Sequence, residues 1–190
     1  MSDKVSKLTE LVEHLERPDL KDDSISIQNF QMRIAANGVW YYQGTPINRI
    51  ALVKLFAKVL HKDDSGQYWL ITPVERGLIE VDDTPFLAVE LNKKTGYNFE
   101  HDVLRFRTNL DEEFDCGPKN PLRVEIDPVT HEPRPYVLVR DGLEARLTTS
   151  VFYQLVEMSG EYTIDGKKVL GVWSEATFFP LGPINMESTL

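Results

Sequence analysis

The residues with the most chemistry to offer a ligand are arginines. Arg105 and Arg107 alternate with apolar residues and so share one face of a strand, while Arg123 sits on a neighbouring segment of the same pattern. Arg140 and Arg146 flank a glycine turn, and Arg49 precedes a helical stripe. Guanidinium groups gathered in one cleft bind carboxylate or phosphate through paired hydrogen bonds, so the set is a candidate site for a small anionic ligand. The acids interspersed with them, Glu75, Asp111, Glu125, Asp141 and Glu144, offer a competing use of the same charges in cross-strand and interdomain ion pairs. Tyr42, Trp69 and Trp173 could add a stacking surface or serve as core aromatics.

Other chemistries find less to work with. A hydrolase would draw on Glu75, Asp82 or Asp83 with a basic partner, but the sequence has no GxSxG, GK[ST], GxGxxG or HExxH motif. The four histidines, His14, His61, His101 and His131, are scattered, and Cys116 is the single cysteine, so neither a metal site nor a disulfide is expected. Cys116 would become a nucleophile only with His101 or His131 brought beside it in space. Asp111, Glu113 and Asp115 alternate like the start of a calcium loop, yet Cys116 and Leu122 stand where that loop needs Gly and Glu. These acids read as a solvated turn. No catalytic residue, metal or cofactor is assigned.

The elements that must position these groups recur along the chain. Val39-Trp40-Tyr41-Tyr42, a Gln43-Gly44 turn and Thr45-Pro46-Ile47 lead into a helical stripe of Leu52, Leu55, Phe56, Val59 and Leu60, then a turn at Gly66 and a strand over 67–71. The same order returns as Tyr136-Val137-Leu138-Val139, Asp141-Gly142, Leu143-Glu144-Ala145, a stripe of Val151, Phe152, Leu155 and Val156, then Asp165-Gly166 and a strand over 169–173. The order implies an internal duplication. In each copy, a glycine turn supplies the positive φ that a tight hairpin needs, and the helix covers one face of the sheet.

Ahead of the first copy, Leu8, Leu11, Val12 and Leu15 have helical spacing and Pro18 ends it, predicting a helix over about 4–16 and a linker to residue 24. Between the copies, 86–91 and 102–108 read as strands, and Leu122, Val124 and Ile126 alternate with charge to make another. A boundary falls near Thr84-Pro85, after the acidic turn Val81-Asp82-Asp83. The fold class is therefore α+β: an N-terminal helix and linker (1–24), an α+β lobe (25–84), and a mostly antiparallel β lobe with one helix (85–190). With 42% hydrophobic and 27% charged residues, the composition is that of a soluble globular chain. Thirty acids against 21 bases give a net charge of -9, which disfavours wrapping duplex nucleic acid. No apolar run nears the roughly 20 residues of a bilayer span, and the N-terminus lacks the order of a signal peptide, pointing to the cytosol.

A wider pattern runs through Trp40-x-x-x-Gly44-x-Pro46-Ile47, Tyr68-x-Leu70-x-Thr72-Pro73-Val74-Glu75, Val81-x-Asp83-x-Pro85-Phe86, Thr108-Asn109, Gly117-x-x-Asn120-Pro121 and Pro135-Tyr136-Val137-Leu138-Val139-Arg140-x-Gly142-Leu143-Glu144-Ala145. It resembles an uncharacterised proteobacterial family of domains of unknown function. The resemblance covers nearly the whole chain after the first twenty or so residues. It implies a two-part fold with repeated motifs, a C-terminal half similar to pleckstrin-homology domains, and an interface for a nucleotide-like ligand in signalling. Glu75, Asp83, Asn109, Arg140 and Glu144 match the pattern near that interface, while Arg49, Arg105, Arg107, Arg123 and Arg146 come from the charge argument alone. Three functions follow: a cytosolic binding or sensor protein for a small anionic, nucleotide-like ligand, a hydrolase using interface carboxylates, and a protein-interaction module.

Overall fold

The computed structural model describes residues 26–73 and 75–184, so the helix expected over 4–16 lies outside the described residues. The chain separates into two units, one reaching to Pro85 and including Asp141–Leu143, the other comprising Phe86–Arg140 and the residues from Glu144. The α+β class holds.

In the N-terminal unit, β1 (Ser26–Ile34), β2 (Trp40–Tyr42) and β3 (Thr45–Pro46) lead to α1 (Ile50–Lys58), followed by β4 (Leu60–Lys62), β5 (Tyr68–Ile71) and β6 (Glu75–Val81). They make one sheet in the order β3-β2-β1-β6-β5-β4, antiparallel except for the β1–β6 pair. Gln43 and Gly44 both take positive φ, 50° and 74°, the paired left-handed geometry of a tight hairpin. The apolar stripe of α1 turns Val53, Leu55, Phe56 and Ala57 inward. Leu60, expected to continue that stripe, instead begins β4, because the helix ends at Lys58 and Val59 caps it. Its side chain is still buried. The Asp63 carboxylate accepts from Ser65 and Gln67 backbone N–H groups and from Trp69 Nε1 at 2.8 Å. Hydrogen bonds from Ser65 and then Trp69 bring its pKa down to about 2.

The C-terminal unit begins with β7 (Phe86–Lys94), a 3-10 turn (Phe99–His101), β8 (Val103–Thr108) and β9 (Glu113–Asp115), followed by β10 (Leu122–Ile126), β11 (Pro133–Arg140) and β12 (Leu143–Leu147). Next come α2 (Thr149–Glu157), β13 (Gly160–Ile164), β14 (Lys167–Ser174) and β15 (Thr177–Pro183). Six of these strands form a sheet ordered β10-β11-β12-β7-β8-β9, and β13-β14-β15 form a separate sheet. The second copy thus repeats the element order of the first, but its last three strands do not join the sheet that its hairpin enters. Gln154 Nε2 of α2 donates to the Leu91 carbonyl at 3.0 Å, fastening that helix to β7. Leu104 and Phe106 are buried, while Arg105 and Arg107 are half-buried on the opposite face, as their alternation predicts. On β10 only part of the expected face is covered. Leu122 is buried but Ile126 is 53% exposed, because β10 is an edge strand with a single neighbour. Among the described residues, no helix is long and apolar enough to cross a membrane.

Candidate ligand-binding site

The N-terminal sheet carries an irregularity that shapes a cleft. Along the parallel pair, Asn29 faces Leu78 and Arg33 faces Glu80, so Phe30, Gln31 and Met32 stand opposite the single residue Ile79. β1 bulges outward there. Gln31 is left-handed at φ 49°, and two hydrogen bonds of 2.9 Å hold it: its N–H donates to Asn29 Oδ1, and its carbonyl accepts from Gln43 N–H. The bulge is therefore tied directly to the β2–β3 hairpin. Gly77, the partner of Gln28, has no room for a Cβ, which would lie 2.4 Å from Phe30 Cδ2. Glycine lets the Phe30 ring rest on the sheet.

Between this bulge and α1 opens a cleft of about 140 Å³. Its floor is apolar, with Met32, Phe56, Val59 and Leu70 buried and Leu52 and Ile47 half-buried. Tyr42, Gln43, Thr72 and Glu75 add polar groups. Thr72 fixes the last of these by accepting from Glu75 N–H at 3.2 Å, while its own hydroxyl and N–H both donate to the Glu75 carbonyl at 2.9 Å. With the backbone of Glu75 held this way, its carboxylate is the group left to act. The side chains of Tyr42, Gln43 and Glu75 hydrogen-bond to no other described residue. Such a lining, apolar with a few directed polar groups, suits a small-molecule site.

The arginines are arranged differently. Arg105 binds Asp115 through two hydrogen bonds of 2.6 and 2.8 Å and approaches Glu113. Arg107 pairs with Glu90 and Asp111, Arg140 with Glu112 at 2.9 Å, and Arg123 with Glu144 through both carboxylate oxygens and with Glu125. Arg123 also lies over the Tyr136 ring at 4.4 Å. Its guanidinium pKa is raised, first by the Glu144 hydrogen bond, and the Arg105 guanidinium lowers that of Asp115. The alternating acids of 111–115 thus serve as partners for β8 arginines, while Asp111 and Glu113 stay more than half exposed to solvent. Arg146 is half-buried on β12 and also engaged. Arg49 is the exposed N-cap residue of α1, with no side-chain capping bond.

The remaining candidates have structural partners too. Asn109 brackets Leu87, accepting from its N–H at 3.0 Å and donating its own N–H to the Leu87 carbonyl at 2.8 Å. Asp82 is bound by both ends of the Arg33 guanidinium, and Asp83 is half-buried with interactions of its own. Trp173 packs with Tyr162 and Phe178. Cys116 is fully buried, and burial pushes its thiol up to about 12, too high for a nucleophile at neutral pH. Of the ten site residues read from the sequence, the cleft takes in Glu75. Sequence reasoning missed Phe30, Met32, Gln43 and Thr72. The available signals were the Asn29 turn former and the Thr72-Pro73 pair.

Fold and site together define an α+β protein of two strand-rich units, the first of which holds an apolar cleft edged by a few polar groups. The chain belongs to the DUF1285 family, described as of unknown function: the family's N-terminal domain matches residues 23–84 and its C-terminal domain residues 85–181. A crystal structure of a DUF1285 family protein from Silicibacter pomeroyi is similar, with 36% identity, 97% of each chain covered and a TM-score of 0.82. Another, from Shewanella baltica, is 28% identical over 66% of this chain and 90% of that one, with a TM-score of 0.53. No curated protein matches the chain.

Proposed function

We propose that this is a ligand-binding, sensor-type protein whose ligand occupies the cleft of the N-terminal unit. One observation carries the reading: a cleft of about 140 Å³ with an apolar floor meets the polar side chains of Tyr42, Gln43 and Glu75, which hydrogen-bond to no other described residue. An apolar recess edged by a few polar side chains is the usual make-up of a small-molecule site. A hydrolase has less support, because the lining offers one carboxylate and no histidine or lysine to act with it. An anion held by the arginines has less support as well, since Arg105, Arg107, Arg123 and Arg140 would each have to leave a carboxylate partner.

Titration with the neutral apolar dye Nile red tests the cleft. Saturable binding with a rise in dye fluorescence is expected, and Leu52→Trp, which places an indole in the cavity, should weaken it tenfold or more while far-UV circular dichroism is unchanged. Equal dye affinity in the Leu52→Trp protein, or no saturable binding to the native one, refutes the reading.

A further inference from the structure

Resting on that cleft, we infer that its ligand is an amphipathic amine, with an alkyl or aryl body on the apolar floor and a cationic head against Glu75. The lining carries one charged side chain, the Glu75 carboxylate, and every other polar group on it is neutral. Glu75 is half-buried, and Thr72 occupies both its N–H and its carbonyl, so the carboxylate is directed by a tied backbone and not by an ion pair. A ligand carboxylate or phosphate placed there would set two negative charges side by side in a partly desolvated recess, which is unfavourable. An ammonium would instead gain a charge-assisted hydrogen bond. Phe30, Tyr42 and Phe56 bring aromatic rings to the same lining, a setting that also favours cations. The apolar floor then selects for the body, since each buried methylene adds on the order of 0.8 kcal/mol.

The same chemistry distinguishes this cleft from the arginine-rich strands of the C-terminal unit. There Arg105, Arg107 and Arg123 already face acids, whereas Glu75 makes no ion pair with a described residue. Net charge alone does not account for the expected selectivity. The chain is acidic throughout, at -9, and a nonspecific attraction of amines would be shared by all its carboxylates.

Displacement of Nile red by n-decylamine and by decanoate, at about 0.15 M salt to screen remote charges, decides the matter. The expected result is that n-decylamine displaces the dye at a concentration at least tenfold lower than decanoate does, the modest end of what opposite charges near 4 Å deliver in a partly solvated site. Glu75→Gln should retain Nile red binding and reduce the preference to threefold or less. Glu157→Gln removes the same charge from the exposed surface of α2 and should leave the preference intact. Displacement by both compounds at equal concentration, or a preference that survives in Glu75→Gln, overturns the amine assignment while leaving the cleft. Loss of preference in Glu157→Gln would overturn it too, by tracing selectivity to bulk charge. Failure of Nile red to bind the native protein removes both the cleft and its ligand.

Discussion

Replacing Gly77 with alanine tests whether the bulge and the cleft are one construction. An added Cβ would lie 2.4 and 2.7 Å from Phe30 Cδ2 and Cε2 and 2.8 Å from the Gln28 carbonyl oxygen, all nearer than real Cβ atoms come. The ring can swing away. The carbonyl cannot do so freely, because Gln28 and Gly77 are direct partners in the parallel ladder. Overpacking of this kind costs about 1–3 kcal/mol, and the stiffer unfolded chain of alanine offsets about 0.4–1 kcal/mol, leaving a net loss of roughly 1–2 kcal/mol. Urea unfolding should show the midpoint of the N-terminal unit falling by about 0.5–1 M at unchanged slope, for a slope near 2 kcal/mol per molar. Because Phe30 lines the cleft, Nile red affinity should fall in the same variant. The cycle with Phe30→Ala isolates the ring, since Gly77→Ala should cost measurably less once the ring is gone. A midpoint within error of the native protein, or an equal cost with and without Phe30, would refute the close packing of Phe30 on Gly77.

Two further predictions concern the C-terminal unit. The fully buried Ser174 donates to the Cys116 carbonyl at 2.6 Å and accepts from Leu104 N–H at 2.9 Å, so Ser174→Ala orphans two buried backbone groups. At about 1–3 kcal/mol each, the loss should be about 2–6 kcal/mol and lower Tm by roughly 4–24 °C; a drop under about 2 °C counts against the bridge. Cys116 should resist a disulfide reagent such as DTNB at pH 8 in the native protein and react fully in urea. Burial raises its folded pKa from 9.0 to about 12, so its contribution to stability is complete below about pH 9 and is lost as pH rises towards 12. Cys116→Ala should therefore flatten the decline of stability over that window, and rapid labelling of the native thiol would contradict its burial.

What could be read along the chain was what depends on near neighbours. Gln43-Gly44 and Asp141-Gly142 announce tight hairpins because positive φ is a property of the turn residues themselves, and all four adopt it. Phe56 and Leu155 mark helix faces through spacing alone, and both are buried. The alternation of Leu104 and Phe106 with Arg105 and Arg107 likewise survives folding, since successive side chains of any strand point to opposite faces. Leu60 and Ile126 show where local pattern stops. The first lies past the end of its helix, and the second lies half-exposed on an edge strand, so in each case the limit is set by what neighbours the element.

Which acid meets which arginine was beyond the sequence. Arg123 meets Glu144 and Arg140 meets Glu112 through strand order and register, which bring together residues far apart in the chain and turn a candidate anion site into ion pairs. The cleft is tertiary in the same sense. The family resemblance marked Glu75 as an acid of interest, but its surroundings depend on three residues of β1 crowding opposite Ile79, on Gly77 yielding space to Phe30, and on α1 lying across the sheet. Secondary structure follows from torsional preferences and periodicity, which each stretch of chain carries with it. A binding site is a relation among distant stretches, and only the folded register supplies it.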